Sequence, residues 1–314
     1  VCKLNQKHYW KPDFIKDNNP IIPYPQSEEP TAKDLEALQR QIQKEISFLK
    51  DSPQDWVNLS LLMLILEKFG SFVSFGEADV ALVDIAKSTA AVAAALANNS
   101  KEKQLRLVAG DLSGIQKFIY TISSGGALKS LRARSFYLEL VTEEVVQQLL
   151  KKLQLPRSNV IYAGGGNLYI LAPGTEETEN IVTKIRHQFN QWLLGEFQGK
   201  VYLALDSSEP FPASDISTEF AKHWTKATKG LAKYKSRKFG DRVIDISSLL
   251  KKYYAHTPCQ VCHRDDEPNL QPLNKEADAP LACSTCQRMY QLGGELLRVE
   301  AIVRSKISDL DKTS

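Results

Sequence analysis

The sequence is poor in cysteine, with five in 314 residues, and it has no long apolar run. A chain of this length buries about three quarters of its unfolded surface, so it does not need the disulfides that stabilise small secreted domains. The longest apolar candidate, Ser88–Leu96, is far shorter than the ~20 residues that cross a bilayer. Polar residues and prolines follow Val1, which is unlike a signal peptide. These absences favour a cytoplasmic protein with no membrane partner.

Four of the five cysteines lie close together near the C-terminal end: Cys259, Cys262, Cys283 and Cys286. Two Cys-x2-Cys pairs at this separation are typical of a zinc site, in which each pair presents two sulfurs from one tight turn. Four thiolates leave no open position for water, so the spacing predicts a structural zinc ion. Four free thiols in a reducing compartment are the alternative interpretation.

The N-terminal third shows helix signals after a proline-rich lead. Apolar residues recur every three or four positions from Leu35 to Leu49, which predicts a helix that begins after Thr31. Two more helices are predicted, at Trp56–Phe69 and Ala81–Ala97. We therefore expect residues 1–100 to form an extended lead and a helical linker region.

The next hundred residues alternate strand and helix signals in the order β-α-β-β-α-β. The predicted elements are a strand at Leu105–Asp111, helices at Ile115–Ile122 and Leu128–Leu153, strands at Val160–Tyr162 and Leu168–Leu171, a helix at Glu176–Gln198 and a strand at Val201–Leu205. This order is the ferredoxin-like plan, which is also the plan of polymerase and nucleotide-cyclase palm domains. The predicted class is α+β, with a palm over residues 101–212 and a basic helix and a zinc-binding region of four cysteines over residues 213–314.

A catalytic palm needs carboxylates at the end of its first strand and on its hairpin, because two metal ions must be held against a triphosphate. Asp111 occupies the first position, but the hairpin Gly164–Asn167 contains no acid. One carboxylate does not hold two divalent cations. We therefore expect no catalytic residues in this palm.

Nucleotide binding without catalysis is a separate hypothesis for the same end of the palm. Ser113 and Gly114 lie where a strand meets a helix N-terminus, and free backbone amides favour phosphate there. Asp111, Ser113 and Gly114 are therefore the candidate nucleotide-binding residues, with ATP as the candidate ligand. Serine and glycine are also common at such a place as a simple helix cap, so both interpretations stay open.

Positive charge is concentrated in residues 222–242, which hold eight basic residues and one acidic residue. The net charge of this stretch is thus +7, whereas the whole chain carries +3 and the remainder −4. Lysines at helical spacing are Lys222, Lys226, Lys229 and Lys233. Apolar residues follow the same spacing two positions out of phase: Phe220, Trp224, Ala227, Leu231 and Tyr234. A helix would bury the apolar stripe and expose the lysines, either as a solvated face or as a contact for RNA or DNA phosphates.

Three motifs resemble the large signature subunit of type III CRISPR effector complexes. They are Asp111–Tyr120 (DLSGIQKFIY), Leu131–Leu138 (LRARSFYL) and Tyr162–Asn167 (YAGGGN). The paired cysteines also lie where that family carries its zinc site. The resemblance implies a subunit of an RNA-guided antiviral complex that contacts guide RNA, target RNA and other subunits of the effector complex.

Many members of that family also carry an HD nuclease and a second palm whose Gly-Gly-Asp-Asp hairpin makes cyclic oligoadenylates from ATP. This sequence contains neither an adjacent His-Asp dyad nor Gly-Gly-Asp-Asp. The chain is therefore either a portion of a longer protein or a member that has lost those parts. We expect a scaffold with a non-catalytic palm. The alternatives are part of a composite cyclic-oligoadenylate synthetase completed outside this chain, and an unrelated zinc-containing RNA-binding protein.

Overall fold

The computed structural model describes residues 9–16, 26–97, 103–122, 126–240 and 254–303. Its N-terminal part contains helix α1 (Ala32–Glu45), helix α2 (Leu59–Gly70), a hairpin of β1 (Ser74–Phe75) and β2 (Glu77–Ala81), and helix α3 (Leu82–Ala97). The predicted start after Thr31 is confirmed, because Thr31 and Asp34 form a reciprocal capping box. The helix predicted from Trp56 begins later, since residues 53–57 form a 3-10 turn led by Pro53. The hairpin was not predicted.

The palm follows with the predicted order of elements. They are β3 (Gln104–Ser113), α4 (Ile115–Ile119), α5 (Ala127–Leu153), β4 (Val160–Gly164), β5 (Asn167–Pro173), α6 (Glu176–Phe197) and β6 (Tyr202–Ser207). The strands form an antiparallel sheet in the order β4-β5-β3-β6, and a short strand β7 (Phe211–Pro212) pairs with the start of β3. The predicted ferredoxin-like architecture is confirmed.

Both faces of the palm sheet are buried. Along β3, Val108 and Leu112 pack against α5 and α6, whereas Leu105 and Leu107 point to the opposite face. That second face is covered by α3 and by helix α8 (Phe220–Ser236), which follows the one-turn helix α7 (Asp215–Thr218). The boundaries at residues 100 and 212 stay predictions, but α3 and α8 from the flanking regions pack on the palm sheet.

The C-terminal cysteine module, residues 254–303, contains β8 (Gln271–Pro272), β9 (Leu281–Ala282) and helix α9 (Ser284–Glu295). Helix α9 packs along the long palm helix α5, where Arg132 Nη1 donates a 3.0 Å hydrogen bond to the Gly293 carbonyl oxygen. The module is therefore docked directly on the palm. Among the described helices, none is long and apolar enough to cross a membrane.

Two adjacent glycines of α9 provide a matched test of this docking. A methyl group on Gly293 would overlap the backbone of Lys129 in α5, whereas one on Gly294 would meet nothing within 4 Å. We expect Gly293→Ala to destabilise the docked module by about 1–3 kcal/mol, as overpacking does. Gly294→Ala should instead be neutral or stabilise by up to about 1 kcal/mol through helix propensity. Thermal unfolding of both variants checks this, and equal midpoints would contradict the close helix crossing.

Candidate functional site

The four clustered cysteines converge on one point in the cysteine module. Their sulfur atoms lie within 4.8 Å of one another, and the Cys262 and Cys283 sulfurs are 3.6 Å apart. Zinc–sulfur bonds of about 2.3 Å in a regular tetrahedron place the sulfurs about 3.8 Å apart. The spacing of the sulfurs therefore fits a zinc ion, and the buried positions of Cys259, Cys283 and Cys286 exclude bulk water.

Local backbone structure presents these sulfurs. The Cys259 sulfur accepts hydrogen bonds from the backbone N–H groups of Cys262 (3.5 Å) and Cys283 (3.3 Å). Cys283 also occupies the N-cap of α9, which places Cys286 in the first helical turn. Hydrogen bonds from the other three thiols, that of Cys262 first, lower the pKa of the Cys259 thiol far below its ordinary value. The same contacts between the sulfurs raise the pKa of the Cys283 and Cys286 thiols, so negative charge is favoured first at Cys259, and a bound cation would be needed to hold all four as thiolates.

Polar contacts attach the cluster to the end of the palm. The Lys200 ammonium, just before β6, donates to the Cys262 carbonyl oxygen. At the end of α6, Glu196 accepts hydrogen bonds from Arg288 (3.0 Å) and Thr285 (3.1 Å), both on α9. In α5, Arg134 Nη2 lies 3.3 Å from the Cys286 sulfur. The sequence motif that contains Arg134 gave no indication that it contacts the cysteines.

Asp111 lies on the sheet face that α8 covers. Its Oδ2 atom is 2.8 Å from the ammonium nitrogen of Lys235, near the end of α8. Its register partner on β5 is Asn167, and Gly165 in the hairpin donates its N–H to Glu139 Oε1 at 2.9 Å. Among the described residues, no group of three or more metal-ligating side chains gathers around Asp111. Asp111, at the palm position that holds metal ions in catalytic palms, thus forms an ion pair with Lys235.

A second carboxylate on this face was missed from the sequence. Asp206 of β6 pairs in register with Ala109, so it shares the face of Asp111 and lies diagonally across from it. Burial raises the pKa of the Asp206 carboxyl, and its Oδ2 atom lies directly against Gly230 of α8. The sequence signal that could have indicated this carboxylate is an acidic residue immediately after the predicted strand Val201–Leu205. Both carboxylates of this face are therefore under α8.

Backbone conformation and packing require a glycine at position 114. Its φ of 92° lies in the left-handed region, and a side chain there would overlap the Lys200 carbonyl oxygen. Helix α4 has five residues, and the hydroxyl oxygen of Ser113 is buried without a hydrogen-bond partner among the described residues. The structure thus gives a packing reason for Gly114, while nucleotide binding by these residues stays a prediction.

Helix α8 separates apolar from basic side chains as the spacing predicts. Ala227 and Leu231 are buried against the sheet, and Trp224 stacks on Tyr169 with ring centroids 4.0 Å apart. The four predicted lysines are all exposed: Lys222, Lys226, Lys229 and Lys233. The predicted burial pattern is confirmed.

The start of α8 is fixed by ionisable neighbours. His223 Nε2 lies 2.8 Å from Asp215 Oδ2, and Lys222 forms a 2.8 Å ion pair with Glu219. Within the described part of the chain, Lys226, Lys229 and Lys233 form no ion pair. These three lysines are therefore the most available cations of the helix, and we call them the lysine face.

The fold and the site together define a palm protein with a docked module whose four cysteine sulfurs could hold a metal ion. A family model described as Csm1 subunit domain B matches residues 104–252. A similar protein from Thermococcus onnurineus (strain NA1), described as the CRISPR system single-strand-specific deoxyribonuclease Cas10/Csm1 (subtype III-A), is 33% identical over 273 residues, which cover 79% of this chain and 34% of the relative. A protein of the same description from Streptococcus thermophilus is 30% identical, with 95% of this chain and 42% of the relative covered.

Solved structures show the same relationship. The apo Csm1–Csm4 cassette matches with a TM-score of 0.66 and 25% identity, covering 88% of this chain and 41% of that chain. The cassette in complex with cA3 matches with a TM-score of 0.65 and 29% identity, covering 81% and 37%. The chain belongs to the Cas10/Csm1 family of type III CRISPR large subunits. It spans between 34% and 42% of the length of the two relatives described above.

Proposed function

We propose that this chain is a scaffold unit of a type III CRISPR ribonucleoprotein complex, contacting guide or target RNA through the lysine face and partner subunits through its other surfaces. The observation that carries the proposal is the orientation of α8. Its apolar stripe covers the palm sheet, and its lysines face outward. Csm1 chains similar to this one were solved with Csm4 as a partner, which supports a role in assembly.

The palm contributes structure in this proposal and performs no chemistry by itself. Asp111 is neutralised by Lys235, Asp206 is half-buried beneath Gly230, and the hairpin has no acid. Two-metal catalysis requires several carboxylates open to the same pair of ions. This arrangement therefore supports a palm that does not hold two catalytic metal ions.

The cysteine cluster holds a structural zinc ion in this proposal. The fit of the sulfur spacing to a tetrahedron supports it, as does the absence of an open ligand position once four thiolates are engaged. Zinc would supply cross-linking between the two Cys-x2-Cys turns. The surrounding residues Lys200 and Glu196 would then hold the cross-linked turns against the palm.

Nucleotide contact is a further part of the proposal. Similar Csm1–Csm4 cassettes were solved in complex with one ATP and with cA3. The candidate contacts stay Asp111, Ser113 and Gly114. They lie at the end of the first strand of this palm, and a catalytic palm outside this chain would complete the nucleotide site. The 314 residues alone then bind adenine nucleotide weakly and do not convert it.

The test is incubation of the 314-residue chain with ATP, magnesium or manganese, and RNA. No diphosphate release and no cyclic or linear oligoadenylate should appear, because the palm lacks the carboxylates that hold two metal ions. Chromatography of the nucleotides measures this, with Asp111→Ala as the paired variant. Turnover by the unmodified chain that Asp111→Ala abolishes would show that the palm is an enzyme on its own.

A further inference from the structure

Arg134 is a buried cation that forms no ion pair with a carboxylate among the described residues. It lies on α5 within the Leu131–Leu138 motif and is 2% exposed. A buried charge is costly unless it is paired and hydrogen-bonded. The ion pairs found among the described residues do not include Arg134, although they include the nearby Arg264 and Arg288. Its counter-ion must therefore be of another kind.

The group that meets this need is the cysteine cluster. Arg134 Nη2 lies 3.3 Å from the Cys286 sulfur, within the range of an N–H···S hydrogen bond. Four thiolates around one Zn²⁺ carry a net charge of −2, so a buried zinc–tetrathiolate also needs positive charge beside it. The positive charge of Arg134 and the negative charge of the zinc–tetrathiolate would thus compensate each other.

The other end of the Arg134 guanidinium contacts the palm. Arg134 Nη1 donates a 3.2 Å hydrogen bond to the Phe118 carbonyl oxygen, and its Cζ atom lies 4.8 Å from the centroid of the Phe118 ring. Phe118 belongs to α4, which directly follows the Asp111–Gly114 segment of the palm. A single side chain therefore bridges the sulfur cluster and the helix beside the candidate nucleotide edge.

We propose that Arg134 is the counter-ion of the zinc–thiolate centre and couples metal occupancy to the position of helix α4. The proposal rests on the proposed zinc site. Arg134 is a positioning residue in this account, because it acts through Cys286 and Phe118. Hydrogen bonds to metal-bound ligands strengthen retention of the metal, and their loss costs about 10–100-fold in affinity.

Arg132 is the matched control. It lies one half-turn away on the same helix and also contacts the cysteine module, but it donates to the Gly293 carbonyl oxygen and contacts no sulfur among the described residues. Arg132→Met weakens docking without changing the charge beside the thiolates. Arg134→Lys keeps a positive charge and provides the conservative rescue.

The experiment replaces zinc with Co²⁺ in the 314-residue chain and records the thiolate-to-cobalt charge-transfer band. Arg134→Met should move the band to lower energy and speed release of the metal to a chelator by about 10-fold or more, because a hydrogen bond to sulfur is lost. Arg134→Lys should restore part of both effects, and Arg132→Met should leave the band unchanged. Hydrogen exchange of residues 115–119 should rise on metal removal in the unmodified chain, and in metal-loaded Arg134→Met.

Unchanged band energy and release rate in Arg134→Met would overturn the role of Arg134. If Arg134→Met does not fold, Arg134→Gln decides, because it removes the charge and keeps a polar side chain: a band shift to lower energy supports the proposal, and a spectrum identical to that of the unmodified chain refutes it. Failure of the zinc proposal is distinguishable, since the unmodified chain would then show no thiolate-to-cobalt band at all.

Discussion

Replacing Cys283 with serine is expected to release the metal and loosen the cysteine module, with metal content falling from about one zinc per chain to near zero. Metal binding and local folding are coupled in such sites, where apparent binding energies are about 10–16 kcal/mol. Cys283 stands at the N-cap of α9, so loss of the metal bond at this position would free the start of the helix that docks on the palm. Elemental analysis and hydrogen exchange across residues 255–290 measure both effects.

Cys2→Ser is the control for this experiment, since it removes the one cysteine that lies outside the cluster. Its metal content should equal that of the unmodified chain. A fully folded Cys283→Ser protein with undiminished zinc would refute the four-cysteine site. A metal-free but fully folded unmodified chain would refute the structural zinc itself.

Replacing all three residues of the lysine face with glutamine is expected to weaken RNA binding and flatten its salt dependence. Each lysine that neutralises a phosphate releases a counterion, so loss of three contacts to single-stranded RNA lowers the slope of log affinity against log salt by about 2. The loss should be similar for unrelated sequences, because phosphates carry no sequence information. Titration of labelled RNA at two salt concentrations, with the chain alone and in the assembled complex, measures the change.

A triple variant on the opposite side of the palm controls for overall charge. Lys151, Lys152 and Lys184 are exposed on α5 and α6, so replacing them with glutamine removes the same charge from a different surface. Folding of the lysine-face variant should be little changed, since Trp224 and Leu231 supply the packing of α8. Equal affinities of the lysine-face variant and the unmodified chain for RNA, both alone and in the assembled complex, would show that these lysines are only a solvated face.

The elements of the palm were predictable from the sequence because their signals are local. Leu105, Leu107 and Ala109 alternate along one strand, and long amphipathic runs correspond to α5 and α6. The cysteine spacing was similarly sufficient to predict that the four sulfurs come together, since two Cys-x2-Cys turns meet wherever the intervening loop folds back. Convergence of the four sulfurs is confirmed by the structure.

What the sequence did not predict depends on contacts between distant segments. The Lys235–Asp111 ion pair joins the end of α8 to β3, and no periodicity in either segment specifies the other. The same holds for Arg134 and Cys286, which meet only because α9 docks on α5. The sequence placed α8 in a region separate from the palm because of its lysines. In the structure the apolar stripe of α8 packs on the palm sheet and covers it.

The direct test of the scaffold account is mapping of RNA cross-links in the assembled complex. The native full-length subunit would be assembled with its partner subunits, a guide RNA and a target RNA carrying photoreactive groups on the backbone. Peptides cross-linked after irradiation are identified by mass spectrometry. Cross-links are expected on α8 around Lys226, Lys229 and Lys233. Efficient cross-linking elsewhere in the subunit, with this helix unlabelled by both guide and target RNA, would contradict it.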